Sequence, residues 1–266
     1  MSALYTVENL RLSLPDQTRK PLLGPAPRLD ILKGLTFSIA KGDVLGIVGG
    51  SGSGKSTLGR ALVRLAQPTG GTILFDGIDI TQNSPTVLRP MRRRFQMIFQ
   101  DPMSSLNPRQ RIGQIIESPL VLHGLANTQA LMHEALDMVG LPRSFARRYP
   151  HELSGGQRQR IGIARAIAQA PDFILADEIV SGLDVSTQAQ ILNLLQGLVR
   201  DLGLTLAFIS HDLSVIRRLC GRVLVMNGGE IVEDALTADL FSNPKASYTR
   251  TLLDAIPLPD PDQIWG

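Results

Sequence analysis

Strand-length apolar runs separated by helix-patterned stretches fill the middle of the chain. DVLGIVG (43–49), FQMIF (95–99), DFILA (172–176), LTLAFIS (204–210) and RVLVMN (222–227) are rich in Val, Ile, Leu and Phe and do not alternate with polar residues. That pattern belongs to strands covered on both faces. Between the third and fourth runs lies TQAQILNLLQGLVRDLG, where Ile191, Leu194 or Leu195, Leu198 and Leu202 share one helical face and Gly203 supplies the stop. Strand, helix, strand in this order predicts an α/β fold built on a mainly parallel sheet.

The flanks have a different texture. ENLRLSL (8–14) and LTFSIAKGD (35–43) alternate apolar and polar residues, as antiparallel strands solvated on one face do. They predict a β lobe from residues 1–45 and about 70–80. Between them PDQTRKPLLGPAPRLD carries four prolines and reads as a loop. Residues 101–165 are helical in pattern with polar connections and no strand run, which places a helical insertion between core pieces at 43–100 and 166–235. After about residue 235 the pattern becomes irregular, and IPLPDPDQIWG at 256–266 holds prolines that forbid regular structure. Residues 1–266 together read as one domain with lobes.

Composition narrows the class. At 266 residues and 43% hydrophobic the chain can bury a full core, and its formal charge of +3 does not call for nucleic acid or an anionic membrane. The basic clusters RPMRRRF (89–95) and RRLCGR (217–222) read as solvated faces. A single cysteine, Cys220, excludes an intrachain disulfide, a cysteine-ligated zinc and an iron-sulfur cluster, and it suits a reducing compartment. MSALYTVENLRLSLP has no basic stretch followed by an apolar one, and no apolar run reaches the ~18 residues of a membrane span. The expectation is a cytosolic protein.

The chemistry concentrates in GGSGSGKS, which fits G-x-x-x-x-G-K-[ST] and follows a buried strand, with the helix STLGRALVRLA after it. Gly49, Gly50, Ser51, Gly52, Ser53 and Gly54 would wrap backbone N–H groups around phosphate oxygens. Lys55 would reach the β and γ phosphates, Ser56 would hold Mg²⁺, and Thr57 continues the helix start. A second signal is DFILADE, an apolar run ending in two carboxylates. Asp177 can hold Mg²⁺ through its water shell while Glu178 polarises an attacking water. A third, LSGGQRQR (153–160), holds no base and no metal ligand. It has the composition of a helix N-terminus that offers N–H groups and a hydroxyl to an anion.

The succession GGSGSGKST, FQDPMSSLNPR, LSGGQRQR, FILADE, SGLD and FISHDL resembles the nucleotide-binding subunits of ABC transporters across residues 43–212. The resemblance implies a P-loop NTPase fold: a RecA-like core sheet, an N-terminal antiparallel β lobe and an inserted α-helical subdomain. It implies ATP and Mg²⁺ as cofactors and ATP hydrolysis as the activity. Gln100 would sense Mg²⁺ and water and couple to the membrane partner, Glu178 would be the general base, and His211 would contact the γ-phosphate. Ser181 to Asp184 would form a loop at the dimer interface. Ser154, Gly155, Gly156 and Gln157 would close on a nucleotide held by the opposite subunit of a head-to-tail dimer.

QDPMSSLNPR and the tail NPKASYTRTLLDAIPLPDP resemble more narrowly the oligopeptide, dipeptide and nickel importers. This branch implies two transmembrane permeases, a second ATPase subunit that is homologous or identical, and an extracytoplasmic solute-binding protein. It also implies a peripheral position on the cytoplasmic face of the inner membrane, with no nucleic-acid partner. The branch's longer ATPase often carries a cysteine-rich extension, so a chain with one cysteine resembles the shorter. The alternative is a non-transport ATPase of the same superfamily acting on DNA or ribosomes. Such chains carry coiled coil, zinc cysteines or two heads, and none is seen here.

Three departures from the family pattern stand out: Ile179 where proline is common, Gly50 where glutamate is common, and Ala246-Ser247 for a histidine-proline pair. Between Tyr5 and Phe37 there is no aromatic to stack on adenine, which leaves Leu29 or Ile31 and predicts weak base discrimination. The segment after Gln100 is expected to receive a permease helix, with Leu106 and Ile112 as contact residues.

Overall fold

In the computed structural model, which describes residues 2–16, 18, 24 and 26–255, the two textures of the sequence become two sheets. The chain runs through β1 (Ala3–Pro15), β2 (Arg28–Ala40), β3 (Val44–Gly49), α1 (Lys55–Leu62), β4 (Gly70–Phe75) and β5 (Ile78–Asp79). It continues through α2 (Pro85–Leu88), β6 (Phe95–Ile98), α3 (Pro102–Ser105), α4 (Ile112–Leu122), α5 (Thr128–Met138) and α6 (Gly155–Ile167). Last come β7 (Phe173–Asp177), α7 (Val185–Leu202), β8 (Thr205–Ile209), α8 (Leu213–Leu219), β9 (Arg222–Asn227), β10 (Glu230–Leu236), α9 (Thr237–Ser242) and α10 (Ser247–Asp254).

The alternating strands form a four-stranded antiparallel sheet ordered β2-β1-β4-β5. The apolar runs form a six-stranded sheet ordered β10-β9-β3-β8-β7-β6, parallel except for the β9–β10 edge pair. Its strands need apolar residues at every position because each face buries a different core. Ile174, Ala176, Leu206, Phe208, Val223 and Val225 face the helical side with α4 to α8. Phe173, Leu175, Ala207, Ile209, Leu224 and Met226 face the antiparallel sheet and α1. Adjacent residues thus enter opposite cores, as the two-residue period of a strand demands.

Helix α7 ends as its sequence predicts, on Gly203 in the left-handed region at φ 63. Its buried stripe differs by one turn: Ile191, Leu192, Leu195 and Leu198 are buried, whereas Leu202 is exposed. The expectation of an irregular chain after 235 is corrected by α9 and α10, whose Leu240, Leu252 and Leu253 pack on the helical-side core. Tertiary burial, rather than a long periodic pattern, supports these short helices. The proline-free-of-structure expectation for 256–266 lies outside the described residues. In the segment 15–30, β1 extends through Pro15 and β2 begins at Arg28, which pair with each other, and residues 17, 19–23 and 25 lie outside the described set.

Leu106 and Ile112 are buried in the helical-side core. They hold the helical lobe together and do not offer a docking surface, which corrects their reading as contacts. Arg165 of α6 donates to the Ser105 carbonyl at 2.6 Å, tying the segment after Gln100 to that lobe.

Candidate functional site

Four neighbouring parallel strands, β3, β8, β7 and β6, end on the same edge of the sheet. Their exits carry Gly49 to Lys55, then Ser210-His211, Asp177-Glu178 and Phe99-Gln100. Parallel strands place such exits side by side, so residues scattered over more than 150 positions meet in one crevice. Gly49 has φ +151, and a Cβ there would stand 2.1 Å from the Met226 carbonyl oxygen. Only glycine lets β3 turn into the loop against β9. Gly54 then precedes α1 in the left-handed region at φ 100 and gives no side-chain cap. The first N–H groups of α1 therefore remain free to bind an anion.

Lys55 Nζ donates to the carbonyls of Gly49 and Gly50 at 2.8 and 2.9 Å. Burial lowers its pKa, and the nearby Glu178 and Asp177 work in the other direction. Ser56 Oγ donates to Asp177 Oδ1 at 3.1 Å. Burial raises the Asp177 pKa, with the Ser56 hydrogen bond opposing. Gln100 Nε2 donates to Glu178 Oε2 at 3.0 Å, and His211 Nδ1 lies 3.6 Å from Glu178 Oε1. Glu178 itself occupies the left-handed region at φ 49, while its N–H reaches the Ile209 carbonyl at 3.0 Å. A strained, non-glycine backbone here aims the carboxylate between Gln100 and His211. Ile179 is buried in the helical-side core and leaves both carboxylates in place.

Between these groups opens a cavity of about 500 Å³, bordered by Ser51, Gly52, Gly54, Lys55, Ser56, Thr57, Glu178 and His211. Ile31 borders it from β2, whereas Leu29 does not line it and is exposed. Tyr5 and Phe37 are buried in the core under the β lobe.

Ser154, Gly155, Gly156, Gln157 and Asp184 do not line this cavity. Ser154 and Gln157 form a capping box at the start of α6: Gln157 N–H donates to Ser154 Oγ at 3.3 Å and Ser154 N–H to Gln157 Oε1 at 3.0 Å. A Cβ on Gly156 would stand 2.6 Å from Thr187 Cγ2, so glycine permits α6 to abut the start of α7. Asp184 caps α7, accepting from Thr187 N–H, Thr187 Oγ1 and Ser186 Oγ at 2.9, 2.7 and 2.7 Å, which hold its pKa far below the usual carboxylate range. In this chain its carboxylate caps the helix.

One residue at the site was invisible to the sequence reading. Tyr248 of α10 accepts a hydrogen bond from the Gly50 N–H at 2.9 Å. It lies in the tail stretch that resembles the importer branch, but nothing local ties that stretch to the phosphate loop 198 positions away.

The ABC transporter family matches residues 32–181, more than half of the chain. This chain belongs to that family. It is 53% identical over 237 residues to a putative peptide import ATP-binding protein of Brucella ovis, covering 88% of this chain and 75% of the relative. It is 52% identical to the oligopeptide transport ATP-binding protein OppF of Bacillus subtilis, covering 86% and 76%. Among solved structures, the dimeric ATP-binding cassette MJ0796 bound to ADP and Pi aligns at TM-score 0.76 and 29% identity, covering 88% of this chain and 98% of that one. The cassette cbiO1 of Clostridium perfringens, part of the transporter complex cbiONQ, aligns at TM-score 0.78 and 27% identity, covering 91% and 92%. The fold is the ABC ATPase cassette, a P-loop NTPase, and the chain is an ATPase that binds ATP.

Proposed function

We propose that this ABC ATPase hydrolyses ATP to drive the import of peptides through a membrane complex. The observation that supports the chemistry is the meeting of the Lys55 loop, Ser56, Glu178 and His211 around one cavity, with Asp177 hydrogen-bonded to Ser56 and Gln100 to Glu178. Peptide as the cargo rests on the likeness to the peptide import relatives.

In this reading Gly49 to Thr57 wrap the phosphates with backbone N–H groups, and Lys55 leaves its carbonyl partners for the β and γ phosphates. Glu178 accepts the proton of the attacking water, oriented by the Gln100 amide, and His211 contacts the γ-phosphate side. Ser56, Asp177 and Gln100 are oxygen donors suited to Mg²⁺. Among the described residues no group of three or more His, Cys, Asp or Glu side chains could hold a metal ion, so the phosphates would have to supply part of the oxygen shell. When bound, Mg²⁺ neutralises charge on the phosphates. Base recognition falls to Ile31.

Ser154, Gly155, Gly156 and Gln157 serve the nucleotide of the opposite subunit, since they stand on an exposed helix start outside their own chain's cavity. Asp184 shapes the turn between the two. No helix among the described residues is long and apolar enough to cross a membrane. Attachment to the cytoplasmic face runs through permeases. A groove of about 300 Å³ between core and helical lobe, bordered by Leu65, Met97, Phe99 and Pro119, is the surface we assign to a permease helix. Leu65 and Phe99 are 52% and 38% exposed there.

Capture of the Glu178→Gln chain with ATP and Mg²⁺ from gently solubilised native membranes tests the reading. Two permeases and a second ATPase subunit are expected, and the permeases are lost from Leu65→Asp and Phe99→Asp chains. Ribosomal proteins or nucleic acid in place of permeases would overturn it.

A further inference from the structure

The peptide unit between Gly49 and Gly50 is gripped from both sides. Its carbonyl, on Gly49, accepts from Lys55 Nζ at 2.8 Å, and its N–H, on Gly50, donates to Tyr248 Oη at 2.9 Å. A trans peptide is planar, so its C=O and N–H point opposite ways and turn together. Glycine on each side leaves no local barrier to that rotation. Among the described residues, the Tyr248 hydroxyl is the partner on the N–H side that resists it.

Tyr248 is well placed to act as a fixed point. Its ring is half-buried against the helical-side core with Leu252 and Leu253 of the same helix. The start of α10 is pinned to β10, where the buried Glu233 carboxylate accepts from the N–H groups of Lys245 and Ala246, both at 2.9 Å. The fit between hydroxyl and loop is close: a Cβ on residue 50 would stand 2.9 Å from Tyr248 Oη, so glycine at this position lets the tyrosine reach the backbone.

We propose that Tyr248 is a positioning residue for ATP binding: by holding the 49–50 peptide it keeps the phosphate loop in the arrangement that receives the phosphates once Lys55 has turned from the Gly49 carbonyl to them. The proposal rests on the assignment of this loop to ATP. The C-terminal helix thereby becomes part of the nucleotide site, although it contacts no phosphate itself.

Tyr248→Phe keeps the ring and removes only the acceptor. With the full chain and MgATP, KM is expected to rise about two- to tenfold, the value of one hydrogen bond, with kcat within about twofold. The midpoint of thermal unfolding without nucleotide stays within about 2 °C of wild type. MgADP affinity, measured directly by calorimetry, falls by the same factor as KM rises. Glu233→Gln, which loosens the other end of the strut, raises KM in the same direction, and the double variant shows less than the product of the two effects. An unchanged KM and MgADP affinity in Tyr248→Phe, or a lowered unfolding midpoint at unchanged affinity, would overturn the proposal. Absence of MgADP binding in the wild-type chain would instead remove the ATP assignment itself.

Discussion

Glu178 holds a backbone conformation that side chains disfavour, φ 49, and its carboxylate meets Gln100 at 3.0 Å and His211 at 3.6 Å. Strain kept at a carboxylate between two polar partners fits a base that must be aimed. Glu178→Gln is therefore expected to lower kcat at least ~100-fold while MgATP still binds, read by steady-state hydrolysis beside equilibrium binding. Base recognition gives a second expectation. Ile31 can exclude water from a purine but cannot tell its exocyclic groups apart, because discrimination of that kind needs hydrogen-bonding groups. The kcat/KM values for ATP and GTP should differ by less than about tenfold, and a stronger ATP preference would show that another residue reads the base. Glu178 was legible in the chain, since two carboxylates after an apolar run are a local signal, whereas Gln100 and His211 were legible only through the family resemblance. Cys220 was legible too: it is buried and its thiol is pushed up to about 12 by burial, as a small apolar residue at a helix end should be. Tyr248 was not, because its role depends on a contact across 198 positions of sequence.

At the scale of elements, helix starts do two kinds of work. The α1 start is left uncapped for an anion, whereas α6 and α7 are capped by Ser154 and Asp184. The sequence marks all three as helix starts but cannot say which carboxylate or hydroxyl is already spent on a cap. Helix α10 shows how docking carries a pH dependence. Burial acts to raise the Glu233 pKa, but the Lys245 N–H, the Thr249 hydroxyl, the Ala246 N–H and the Lys245 charge together outweigh it and hold the carboxyl below its ordinary value of 4.5. A depressed pKa contributes stability that is present above the ordinary value and disappears as pH falls through the folded one. The unfolding midpoint of Glu233→Gln should thus lie below wild type at pH 7, with the gap closing as pH falls below 4.5. A gap that persists or widens in acid would mean that the carboxylate charge does not anchor the helix.

For the whole molecule, the α6 start stands apart from the chain's own cavity, and in the proposed function a partner's α6 start completes each site. If the halves combine head to tail, a Lys55→Ala chain and a Ser154→Arg chain, each inactive alone, should recover hydrolysis when mixed, since one of the two composite sites is then intact. No recovery would mean that the partner is a chain of different sequence, or that the LSGGQRQR segment does not serve a nucleotide. The sequence by itself determined the class of fold and most of the chemistry. Continuous apolar runs demand burial on both faces, and the glycine-rich loop, the Asp177-Glu178 pair and the Ser154 helix start are each specified by neighbours in the chain. Tertiary structure decided which groups meet. It buried Leu106 and Ile112, left Leu65 and Phe99 open, committed Asp184 to a cap, turned the irregular tail into α9 and α10, and brought Tyr248 to Gly50. The physical reason is common to these cases: periodicity and motifs report what a residue's own backbone needs, whereas burial and long-range hydrogen bonds depend on which surfaces the packed sheet leaves to be covered.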